Sequence, residues 1–142
     1  MEEQFDAEME RVKKLQEDGL AKYGFYIHYV PGDENFPFKM NIHTHGVMES
    51  YKHLDIQICF PIDASIANSL LHEAVNKIKN GQTFEPGVEY GEIIGGGLKV
   101  KFAYAWDLGS HAVLRMILPD KNGKFDGEFM AQWVGTQKTI GN

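Results

Sequence analysis

The chain has a single cysteine, Cys59, among 142 residues. No intramolecular disulfide can staple it, and a reducing cytoplasm is the expected compartment. No apolar run approaches the roughly 20 residues of a membrane helix. The charged N-terminus lacks the apolar stretch of a signal peptide. No membrane association is expected. Basic surface is also scarce: the formal charge is −6 and no Lys/Arg cluster is dense. Nucleic acid is therefore not an expected partner, because binding it needs cations that displace counterions. Phosphate and calcium loops are missing as well. The glycines from Gly91 to Gly97 are followed by Leu98-Lys99, without the Lys-Ser/Thr pair of a P-loop. Asp120-Lys121-Asn122-Gly123 has its glycine at the fourth position, which an EF-hand loop does not.

The residues present describe an ordinary globular protein, 43% hydrophobic and 24% charged. One α+β domain over 1–142 is expected, long enough for a proper core. Phe5, Met9, Val12 and Leu15 recur at helical spacing, which predicts an N-terminal helix over about 4–22 ahead of a core over about 23–135. A strand is expected from about Phe25 to Val30. The clearest helix runs from an N-cap at Asp63 or Ser65, along Ile66, Leu70, Leu71, Ala74, Val75 and Ile78, to Gly81 in the left-handed position. Leu98 to Ala105 and Ala112 to Leu118 read as further strands around Gly-rich and Asp120–Gly123 turns. The tail with Phe129, Met130, Trp133 and Val134 fits a short helix or strand. The expected architecture is a mainly antiparallel sheet, its apolar face covered by the Asp63–Asn80 helix and the N-terminal helix.

Chemistry concentrates in one place. Asn41-Ile42-His43-Thr44-His45-Gly46 is followed by His53-Leu54-Asp55, which puts three histidines and a carboxylate within thirteen residues. Both segments alternate apolar with polar, the pattern of strands with one buried face. On the polar side lie Asn41, His43 and His45 from one strand, and His53, Asp55, Gln57 and Cys59 from the other. With Gly46–Lys52 as a hairpin loop, His45 falls opposite His53, His43 opposite Asp55 and Asn41 opposite Gln57. Opposed Cβ atoms in such a pair are about 4.5–5.5 Å apart, close enough for Asp55 to orient His43 or for His45 and His53 to share a ligand. A slip of one residue would separate the polar sets.

Imidazoles at i and i+2 with a carboxylate suit Zn²⁺ or another divalent metal, and an open coordination position could activate water. His43, His45, His53 and Asp55 are the metal candidates, and His43 with Asp55 the candidates for acid–base work. His28 is a further polar-face candidate whose parity with the other strands is open. Cys59 reads as a small half-buried residue, His72 as solvated and His111 as a loop residue. The leading expectation is a ligand- or protein-binding module, with a homodimer or a small molecule on the half-exposed sheet face. Tyr26, Tyr51, Lys99 and Lys101 would be its interface residues. A metal-dependent, hydrolase-like protein is the alternative. A site requires side chains converging in a concavity, and an interface requires them splayed on a flat face.

Several pieces together resemble the bacterial family catalogued as domain of unknown function 4262. They are Lys22-Tyr23-Gly24-Phe25-Tyr26-Ile27, Thr44-His45-Gly46-Val47 and Tyr51-Lys52-His53-Leu54-Asp55-Ile56. The helix Ala64 to Asn80 with Gly81-Gln82-Thr83-Phe84-Glu85-Pro86-Gly87, and Leu118-Pro119-Asp120-Lys121-Asn122-Gly123-Lys124-Phe125, continue the likeness over about residues 20–128. In that family a Thr-X-Gly-Leu pattern ends the first strand, and Gly-His-Pro-Glu-Leu or similar opens the second. Thr44, Gly46, His53 and the acidic Asp55 match by position. Val47 stands for the Leu, and Lys52, Leu54 and Asp55 stand for the Gly, Pro and Glu. His43 is not a general feature of the family. The resemblance implies the fold and assigns no activity.

Overall fold

The computed structural model describes residues 2–32, 35, 40–107, 111–126 and 132. The elements in chain order are α1 (Glu2–Tyr23), β1 (Tyr26–Val30), β2 (Asn41–His45), α2 (Val47–Tyr51), β3 (Ile56–Ile58), α3 (Ala64–Lys79), β4 (Tyr90–Gly95), β5 (Leu98–Trp106) and β6 (Ala112–Ile117). The strands form one six-stranded sheet in the order β1-β2-β3-β6-β5-β4. Among the described strands the β3–β6 pair alone is parallel. The fold is thus α+β with a mainly antiparallel sheet. The tail residues Phe129, Met130, Trp133 and Val134 lie outside the described residues, as does Phe38. No described helix is long and apolar enough to cross a membrane.

α3 covers one face of the sheet. Asp63 caps it, accepting from the Ser65 backbone N–H. At its end Gln82 N donates to the Lys77 carbonyl and Gly81 N to the Ile78 carbonyl. This paired closure needs a left-handed residue, and Gly81 supplies it at φ 102°. Ala67, Leu71, Ala74, Val75 and Ile78 are buried against Ile42, Ile56, Ile58, Phe102, Leu114 and Met116. Each large aliphatic side chain so buried contributes about 1.5–3 kcal/mol. One assignment within this helix is corrected: Ile66 is 52% exposed, and Ala67, one residue on, takes the inner position.

α1 forms as expected but does not pack as expected. Phe5, Met9 and Leu15 are all more than half exposed. Only its last turns reach the sheet, where Gly19 lies against the Phe25 carbonyl and Tyr26. The periodicity that specifies a helix does not say what covers its apolar side.

The hairpin differs from expectation in three ways. Residues 47–51 fold as the short helix α2 instead of an open loop, and β3 is only Ile56–Ile58. The register is Ile42↔Ile58 and His43↔Gln57, two residues from the expected one. A slip of two preserves parity, so Asn41, His43, His45 and Gln57 still share a face. Gly46 makes the corner. It sits at φ 109°, and a Cβ there would lie 2.8 Å from the Gly24 carbonyl oxygen, so backbone direction and space both require glycine.

Candidate metal centre

The side of the sheet away from α3 carries the polar residues. Along β1 and β2 the register pairs Tyr26 with His45 and His28 with His43. The parity of His28, open in the sequence, is therefore that of the other two histidines. The ring centroids of His28 and His43 are 5.0 Å apart, those of His43 and His45 4.6 Å, and those of His28 and His45 5.7 Å. One ring nitrogen from each of His28, His43 and His45 lies within 4.8 Å of the others. Tyr26 stacks on His45 with centroids 5.0 Å apart and packs that ring from one side.

His43 is buried and held at both nitrogens. Nδ1 lies 2.8 Å from Asn41 Oδ1, and Nε2 lies 3.0 Å from His45 Nε2. Asn41 Oδ1 only accepts, so His43 carries its proton on Nδ1 and its Nε2 lone pair points at the cluster. With Zn–N bonds of about 2.0–2.1 Å, ligand nitrogens of a tetrahedral ion stand about 3.3 Å apart. The pair His43–His45 is already near that spacing. Burial, and then the neighbouring imidazoles of His45 and His28, push the His43 pKa down to about 4, against a weaker opposing pull from Asp107. Burial also lowers His45, and Asp55 opposes it. Both rings are consequently neutral at neutral pH, the form that binds a metal.

The other candidates are placed elsewhere. His53 Nδ1 donates to the Leu54 carbonyl at 2.8 Å, and its Nε2 accepts from Phe84 N–H at 3.1 Å. Its one ring lone pair is thereby taken and none is left for a ligand, and its ring does not join the cluster. Asp55 does not face His43. Its Oδ1 accepts from Thr44 Oγ1 at 2.8 Å and from Val47 N–H at 3.0 Å, and Thr44 Oγ1 accepts from Ile56 N–H. Burial pushes the Asp55 carboxyl up, with these two hydrogen bonds opposing. Gln57 sits opposite His43 and donates to Asn41 Oδ1 at 3.2 Å. Cys59 is fully buried, not half-buried. His72 is not solvated on the helix surface: its ring packs against Tyr23 and Phe25, with centroids 5.0 Å and 4.9 Å away. His111 is an exposed loop residue as expected.

Sequence reasoning missed two charged groups. Arg115, fully buried in β6, donates from Nε to Gln57 Oε1 at 2.7 Å. Its signal was one charge inside the apolar run Val113-Leu114-Arg115-Met116-Ile117. Asp107, just beyond β5, accepts from His111 N–H at 2.8 Å and is close enough to influence His43 and His45. A cleft of about 720 Å³ opens beside the cluster, lined by Tyr26, His45, Asp55, Asp107 and His111 among others. Its carboxylates favour a cationic occupant over an anionic one.

The family model for a domain of unknown function (DUF4262) matches residues 19–130, and the chain belongs to that family. No curated protein and no solved structure matches it.

Proposed function

We propose that the domain binds a divalent transition-metal ion of the zinc class through His28, His43 and His45 and presents it to the adjoining cleft. The observation that carries this reading is the convergence of the three imidazoles, with a nitrogen of each within 4.8 Å of the others. A flat interaction face would splay those rings. Imidazole nitrogens suit zinc, copper, nickel and iron. Three protein ligands leave a position open, as in hydrolytic zinc sites where a bound water becomes a nucleophile. His45 borders the cleft, so the open side is reachable.

The test is metal content of protein purified without an affinity tag, together with a His43→Ala/His45→Ala double variant. Near-stoichiometric zinc, nickel, copper or iron in the parent, lost in the variant, is expected. A parent that is empty and takes up no added zinc at micromolar concentration overturns the reading.

One observation favours a second role, self-assembly. The apolar stripe Phe5, Met9 and Leu15 of α1 is exposed, and along the helix acidic Glu3 and Asp6 precede basic Arg11, Lys13 and Lys14. A second copy laid antiparallel along α1 covers the stripe. Sedimentation of the parent as a dimer, and of Phe5→Glu/Met9→Glu as a monomer, is the outcome expected; a monomeric parent at high micromolar concentration sinks it.

A further inference from the structure

A line of buried polar side chains runs across the sheet behind the histidines. Arg115 on β6 neighbours Gln57 on β3 in the parallel register, and Gln57 faces His43 on β2. Arg115, Gln57 and Asn41 are fully buried. Their hydrogen bonds have one direction throughout. A guanidinium has donors only. Arg115 Nε donates to Gln57 Oε1 at 2.7 Å and its Nη1 to the Gln132 carbonyl at 3.3 Å. With its oxygen held by Arg115, Gln57 turns its nitrogen the other way, donating to Asn41 Oδ1 and to the Trp106 carbonyl, each at 3.2 Å. Asn41 must then present oxygen to Gln57, and the same oxygen meets His43 Nδ1 at 2.8 Å.

Asn41 carries an independent sign that this orientation is imposed. Its Nδ2 is buried and has no hydrogen-bond partner among the described residues. Left to itself, an amide avoids such an arrangement. Turning Asn41 over would bring its nitrogen to His43, but it would set two N–H groups face to face at Gln57. The amide stays where the Gln57 nitrogen holds it.

We infer that Arg115, acting through the Gln57 and Asn41 amides, sets the tautomer of His43. The donor-only guanidinium fixes Gln57, Gln57 fixes Asn41, and Asn41 puts the imidazole proton on Nδ1. The Nε2 lone pair is thereby aimed at His45 and at any ion the cluster holds. Arg115 and Gln57 are positioning residues for the metal-binding reading above, on which the ligand consequence rests; the tautomer itself does not depend on a metal.

The test is the imidazole ¹H–¹⁵N correlation spectrum of metal-free, ¹⁵N-labelled protein at pH 8, alongside zinc titration. In the parent, His43 shows its proton on Nδ1. In Gln57→Glu the carboxylate accepts from Arg115 and from Asn41, so the Asn41 amide turns and donates to His43 Nδ1. The His43 proton then moves to Nε2, and zinc affinity falls about 10–100-fold, the usual loss when a ligand's outer partner is changed. Asn41→Asp, which keeps an acceptor at Nδ1, retains the parent tautomer. A parent with its His43 proton on Nε2 overturns the inference even if Gln57→Glu does not fold. A folded Gln57→Glu that keeps the proton on Nδ1 overturns it too. If the tautomer moves but neither protein binds zinc, the relay stands and the metal reading falls.

Discussion

His43 and His53 lie ten residues apart and look alike by the usual measures. Both are buried, 3% and 7% exposed. Each has Nδ1 against an oxygen at 2.8 Å, the Asn41 amide for one and the Leu54 carbonyl for the other. They differ at Nε2. That of His53 accepts the Phe84 backbone N–H, whereas that of His43 faces another imidazole. Burial and a satisfied Nδ1 are common to structural and chemical histidines; the destination of the Nε2 lone pair separates them. The neighbours divide the same way. Around His53, the side chains of Thr44 and Asp55 bond to each other and to the backbone of Ile56 and Val47, locking the corner where β2 turns into α2. Around His43 the partners are side chains that orient other side chains.

The sharpest way to break this contrast is to remove the imidazole from the lock. His53→Ala leaves the buried Phe84 N–H without a partner, which costs about 1–3 kcal/mol, and opens a cavity beside the ring of Phe84. The expected total is about 3 kcal/mol in urea denaturation, with zinc stoichiometry unchanged. A variant that keeps its stability but loses zinc would exchange the roles assigned to the two histidines.

Acid provides the next largest effect, and its sign follows from the neutral His43 ring. The unfolded chain protonates His43 near pH 6.5, and the folded protein holds it neutral down to about 4. Between those values the unfolded state binds more protons, so stability falls as pH falls. The contribution is fully present above about pH 6.5 and lost by about pH 4. At about 1.4 kcal/mol per pH unit it amounts to about 3 kcal/mol. His45 shifts in the same direction for the same reason, and Asp55, whose carboxyl is raised, in the opposite one. Urea titrations from pH 7.5 to 4 check this. His43→Asn should flatten the acid limb, and an unchanged limb would show that the cluster is not what titrates.

The two regions were not equally legible in the sequence. Alternation along 38–45 and 53–60 assigned Asn41, His43, His45 and Gln57 to one face, and parity kept them there although the register is shifted by two. The shift arises from α2: a seven-residue connection carries no periodicity long enough to reveal one turn of helix. His53 and Asp55 were read by the same alternation, but they precede β3, so strand parity does not govern them. Their partners, Phe84 N–H and Val47 N–H, are backbone groups that no residue pattern displays. His28 could join the cluster only once β1 was known to pair with β2 in the register His28↔His43. Arg115 was overlooked because its strand is otherwise apolar, which is also why its single charge has to be hydrogen-bonded within the sheet.

The smallest expected effect improves the lock without touching the cluster. Lys52 closes α2 at φ 60°, donating its N–H to the Met48 carbonyl. The left-handed region is costly for a residue with a Cβ, and the family pattern described above has glycine at this position. Lys52→Gly relieves that strain but adds freedom to the unfolded chain, an opposing term of about 0.4–1 kcal/mol. The net expectation is a gain of about 0.5 kcal/mol, read as a rise in the urea midpoint at unchanged slope. Zinc affinity and the His43 tautomer should not move, because the Lys52 backbone bonds to α2 while Asn41, Gln57 and Arg115 hold the imidazole from the opposite direction. A gain in stability accompanied by a change in zinc affinity would mean that the corner and the cluster are mechanically coupled, and His53 would then belong to the site after all.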